Sequence, residues 1–113
     1  MTIVRDRIPL ADIAALAKAQ FGDLVKAVVD VERGVMAVGG ELHSDEEAIL
    51  LEDGSHQQHL WGINLYPAVA GVDWIEFDSM INIRPSQGNR SRSIDDAERR
   101  KAVIAIVDRL VTR

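Results

Sequence analysis

Hydrophobic and polar positions repeat along this chain with two different periods, and the points where the period changes outline its elements. Thr2 to Arg5 reads as a short edge strand, with a frayed end as the alternative. Pro9 suits a first helical turn, where its missing N–H costs nothing. Leu10, Ile13, Ala14, Ala17 and Phe21 then recur at helical spacing, and Gly22 stands where a left-handed C-cap belongs. Leu24 to Val31 is β-branched and apolar on both faces, as a strand covered on both sides is. Glu32-Arg33-Gly34 turns it into Val35 to Val38, giving a hairpin. Gly39-Gly40 ends the hairpin and permits either unusual backbone angles or close approach of another part of the chain.

Ser44 and Glu47 have the spacing of a capping box ahead of Ala48 to Leu51, which predicts a short helix over Asp45 to Asp53, with a strand as the alternative because the apolar run is brief. Leu60 to Tyr66 alternates with Trp61, Ile63 and Leu65 on one face, and Trp74 to Arg84 with Ile75, Phe77, Ile81 and Ile83 on one face. These two strands predict a second hairpin, stopped by Pro85, which cannot donate to a ladder. A last helix is expected from Ser93, with Asp95 and Asp96 in its first turn and a buried stripe of Val103, Ile104, Val107, Leu110 and Val111. The pattern therefore predicts a single α+β domain over residues 1–113. Its antiparallel sheet has four to five strands in two hairpins, in the order β-α-β-β-α-β-β-α, with helices one and three on one face.

Composition narrows the class. With 113 residues, 47% hydrophobic and 27% charged, the chain matches one ordinary globular domain. No cysteine is present, so disulfides, thiolate metal sites and cysteine nucleophiles are excluded. Charged residues interrupt the first twenty positions, and no apolar run approaches a membrane span, so a cytoplasmic protein without membrane association is expected. The net charge of −5 divides unevenly: residues 1–83 hold 14 acids against 5 bases, and residues 84–113 hold 4 acids against 8 bases, −9 and +4. That balance argues against nucleic acid as a partner and leaves a locally basic C-terminal third.

Two polar segments carry more than packing requires. The first is the loop from Arg84 to Ser93, where Arg84, Ser86, Gly88, Asn89, Arg90 and Arg92 precede a helix N-terminus whose free N–H groups attract anions. It lacks the spacing of a phosphate-binding P-loop, and Asp95 and Asp96 oppose a second negative charge. The other segment is the polar face of the second hairpin, with Asn64, Tyr66, Glu76 and Asp78; a symmetric loop places Asn64 near Glu76 and Tyr66 near Trp74. Glu41 and His43 offer imidazole and carboxylate to a metal, but without diagnostic spacing, so neither a metal nor a cofactor is expected. The serines lack a nucleophile-elbow context, so whether the chain is an enzyme is left open. The leading expectation is a binding module for an anion or small polar metabolite. The alternatives are a metal-assisted hydrolase using Glu41 and His43, and a structural homodimer joined through Trp74, Met80 and Tyr66.

The runs VKAVVDVERGVMAVGGELHSDEE, LLEDGS, LWGINLYP and IEFDSMINIRPSQGNRS resemble a family of small prokaryotic proteins of unknown function, over about residues 8–112. The resemblance implies a bacterial or archaeal cytosolic protein. It brings no activity, cofactor or catalytic residue with it.

Overall fold

The computed structural model describes residues 1–113. Its elements are β1 (Thr2–Val4), β2 (Ile8–Pro9), α1 (Leu10–Ala19), β3 (Val25–Asp30), β4 (Val35–Val38), α2 (His43–Glu52), β5 (Leu60–Leu65), β6 (Ile75–Glu76), α3 (Ala97–Leu110) and β7 (Val111–Thr112). Five strands form an antiparallel sheet in the order β1-β4-β3-β5-β6, while β2 and β7 make a separate parallel pair.

Period-2 alternation sends odd-numbered residues of β3 and β5 to one side and even-numbered residues to the other. Val25, Ala27, Val29, Trp61, Ile63 and Leu65 bury against Ile13 and Ala17 of α1 and Val103, Val107 and Leu110 of α3. On the opposite face Val28, Val35, Ala37 and Leu60 meet Leu50 of α2. Helices one and three do share a face, and α2 covers part of the other. That partial cover matters, because the 10-residue α2 is too short to shield the whole sheet.

The turn between β3 and β4 is held from inside. The buried carboxylate of Asp30 accepts from the backbone N–H groups of Glu32 and Arg33, each at 2.9 Å, and from the Ser55 hydroxyl at 2.6 Å. Arg33 extends the network to Ser55 and Asp53, and Arg5 closes on the same Asp53 carboxylate.

Several elements depart from the pattern, each for an identifiable reason. The capping box does not form: α2 begins at His43, Leu42 is its N-cap, and no side chain caps it. Instead Glu46 reaches back and accepts from the Gly40 N–H at 3.0 Å. Gly40 permits this, since a Cβ there would lie 2.7 Å from Glu46 Cγ. The last helix begins at Ala97, not Ser93; Ile94 plugs the core ahead of it, Asp95 turns into the preceding loop, and Asp96 accepts from the Glu98 N–H as the cap. Phe21 lies beyond the end of α1 and is 44% exposed.

The second hairpin is cut short. Only Asn64–Glu76 and Leu65–Ile75 pair, so Trp74 to Arg84 is not one strand. A 3-10 turn over Val72–Trp74 shifts the alternation, and Trp74 goes into the core beside Ile75 rather than onto the polar face. Beyond Glu76 the register position that should be apolar is Ser79, whose hydroxyl accepts from Ile81 N–H and starts another 3-10 turn, Met80–Asn82. Ile81 then packs on the α2 side, Ile83 is exposed and Phe77 is only half-buried. The missing strand is replaced by side chains. Asn82 donates to the Gly62 carbonyl at 2.9 Å and accepts from the Gly62 N–H at 2.8 Å, while Arg84 donates to the Leu60 carbonyl.

Candidate functional site: a polar groove at the open end of α2

Where α2 begins, the sheet face is uncovered, and a groove of about 550 Å³ opens between the start of that helix, β3, β5, β6 and the turn after Asp78. Three strands supply its floor in register. Lys26 of β3 lies opposite Asn64 of β5, and Asn64 lies opposite Glu76 of β6. All three are even-register residues on the α2 face, so a cation, an amide and a carboxylate stand in one row across the sheet.

Asn64 is the most constrained of them. It is buried, and its Nδ2 donates to Glu76 Oε1 at 2.8 Å and to the Asp78 carbonyl at 3.3 Å. Both partners are acceptors, which fixes the amide orientation and leaves Oδ1 buried with no partner. Glu76 Oε1 also accepts from the Tyr66 hydroxyl at 3.1 Å. Desolvation, and then this bond to a carboxylate, push the Tyr66 phenol above its ordinary range. Asp78 pairs with Arg92 at 2.6 Å, so those two charges cancel at the rim. Lys26 has no carboxylate partner; its ammonium lies 5.5 Å from the centre of the Phe21 ring.

His43 forms the wall contributed by α2. Its Nε2 lies 2.7 Å from the Ile63 carbonyl, an acceptor only, so Nε2 carries the proton. No protein group donates to Nδ1, which keeps its lone pair and contact with solvent. Burial lowers the pKa of the ring, and the bond to Ile63 raises it less. Near neutral pH His43 is therefore an uncharged acceptor. The backbone N–H groups of His43 and Ser44, at the uncapped start of α2, have no partner. Phe21, Leu42 and Met80, all exposed, complete an apolar rim.

The polar face of Asn64, Tyr66, Glu76 and Asp78 is thus assembled as the spacing predicts, with Asn64 beside Glu76, and with the Tyr66 N–H donating to the Trp74 carbonyl at 2.8 Å. Lys26 was missed, although a lysine set among the valines and alanine of β3 marks it. The basic loop comes out differently. Arg84 turns back to the carbonyls of Gln57 and Leu60 and stacks over Trp61, 4.0 Å from the ring centre. Desolvation lowers its pKa. Asn89 is a buried hub, donating to the carbonyls of Asn82 and Ser93 at 2.7 Å and accepting from Asp95 N–H at 2.8 Å. The Asp95 carboxylate takes the Ser91 hydroxyl at 2.6 Å and the Arg90 N–H at 3.2 Å. The loop therefore spends its donors on itself. Arg92 faces the groove, Ser86, Gly88 and the Arg90 side chain face solvent, and the arginines do not converge. Glu41 is exposed and away from the groove, and no three His, Asp or Glu side chains lie close enough to hold a metal ion.

Residues 2–110 match the model of a family described as protein of unknown function, DUF5674. No curated protein and no solved structure shows significant similarity to the chain.

Proposed function

The chain belongs to the DUF5674 family, and because that membership specifies no activity we propose from the groove itself that it is a binding module for a small polar metabolite. The observation that carries this reading is the row Lys26–Asn64–Glu76 along the floor of an open groove, whose two charges have no ionic partner. Polar groups converging from three strands and one helix, ringed by apolar residues, match the usual make-up of a small-molecule site.

The test is a metabolite screen read by backbone amide shifts. A ligand of this site moves the signals of Lys26, His43, Ser44, Asn64 and Glu76 together. Asn64→Ala removes the response while the melting temperature stays within a few degrees. If no metabolite class moves these signals in the intact chain, the reading fails.

A further inference from the structure

Accepting that the groove binds a small metabolite, we infer that its ligand is a zwitterion, specifically an α-amino acid with an apolar side chain. The groove contains four charged side chains, and two of them cancel. Arg92 and Asp78 form an ion pair at 2.6 Å. Lys26 and Glu76 have no ionic partner. One unpaired cation and one unpaired anion therefore face the same cavity from opposite ends of the row Lys26–Asn64–Glu76. Neighbouring strands lie about 4.8 Å apart, so the two backbones are separated by roughly 10 Å. The flexible lysine side chain closes much of that distance.

Each pole is reinforced by neutral groups of matching polarity. On the wall of the same groove as Lys26, the partnerless N–H groups of His43 and Ser44 at the start of α2 favour a carboxylate. The free Nδ1 of His43, an acceptor on the wall, and Glu76 Oε2, which no protein group bonds, favour an ammonium. A simple carboxylate or phosphate would satisfy the lysine pole, yet it would face the unpaired carboxylate of Glu76 across the groove. A simple amine has the converse defect. Only a molecule carrying both charges answers both poles, and in a partly desolvated groove each unanswered pole weakens binding. The side chain of the amino acid has its own place against Phe21, Leu42 and Met80, whose exposure is otherwise unexplained.

The experiment is an amide-shift titration of the whole chain with L-leucine, L-methionine and L-phenylalanine. Isoamylamine and 4-methylpentanoate, which are leucine without its carboxylate and without its amine, serve as controls. The expected result is that at least one amino acid shifts Lys26, Ser44, Asn64 and Glu76, about tenfold or more tighter than either single-charge analogue. Lys26→Met should lower leucine affinity to that of isoamylamine and leave isoamylamine unaffected. Glu76→Gln should do the converse with 4-methylpentanoate. A purely structural effect of either variant would weaken all ligands alike, which would overturn the assignment of poles. If either analogue binds as tightly as leucine, or another metabolite class shifts the groove while no amino acid does, the zwitterion inference falls and the binding module stands. If no small molecule of any class moves these signals, both fall.

Discussion

Replacing Glu46 with glutamine perturbs the one carboxyl group that the fold holds as a neutral acid. Its side chain is fully buried, Oε2 accepts the Gly40 N–H, and Oε1 has no partner. Burial pushes its pKa from 4.5 to about 9, against smaller opposing effects of the Gly40 bond, Lys26 and the N-terminus. A carboxyl whose folded pKa is raised contributes stability that is fully present below the unfolded value and lost as pH rises toward the folded one. At about 1.36 kcal/mol per unit, the gap between 4.5 and pH 7 weighs roughly 3 kcal/mol against the fold. Glutamine keeps an acceptor for Gly40 and has no proton to lose, but it buries an amide NH₂ with no partner, at about 1–2 kcal/mol. Glu46→Gln should therefore be about 1–2 kcal/mol more stable at pH 7 and less stable than the parent near pH 4. Urea denaturation followed by circular dichroism at pH 4, 5.5, 7 and 8.5 measures this. The difference between the two proteins should climb with pH by at most about 1.4 kcal/mol per unit. A difference that stays flat across this range would show that Glu46 is ionised in the fold and that its burial has been misjudged.

Further substitutions probe the rest of the frame. Asp30→Ala strands three donors at the β3–β4 turn and should cost about 2–4 kcal/mol in the same denaturation assay. Gly62→Ala would place a Cβ 2.6 Å from Ser79; it should cost about 1–3 kcal/mol, with Ser79→Gly restoring much of the loss. Arg84→Lys should cost about 1–2 kcal/mol in thermal melts despite keeping the charge, because an ammonium neither spans the carbonyls of Gln57 and Leu60 nor stacks flat on Trp61.

The face assignment of β3, β5, α1 and α3 was legible because each follows a single period over a full element: Val29, Ile63 and Val107 are all fully buried. Asn64 beside Glu76 was legible for the same reason, since hairpin symmetry fixes which residues oppose one another. What the pattern hid was the breakdown of period two after Glu76. Ser79 at an apolar register position was the sign, and the two isoleucines beyond it masked it. The arrangement of the basic loop was hidden for a different reason. Arginine, asparagine and serine serve a ligand or the backbone equally well, and composition does not say which. Here the neighbouring carbonyls, left without a strand partner, take Arg84, and Asp95 takes the loop's own donors. Lys26 lay unread inside a strand, where only its partner across the ladder gives it meaning.

The outer edge of β5, finished by Asn82 and Arg84 instead of by backbone, bears on how this sheet breathes. A paired strand detaches by breaking a whole ladder at once, whereas a side-chain amide detaches when one loop lifts. The Gly62 amide, held by Asn82 Oδ1, should therefore exchange its hydrogen with solvent through local opening of residues 77–93. Amides on the β3 side of the same strand wait for the sheet itself to open. One strand then carries two levels of protection, one on each edge. Asn64, two residues along from Gly62 and tied to the Asp78 carbonyl at the start of that loop, sits where an occupant of the groove would slow the looser of the two.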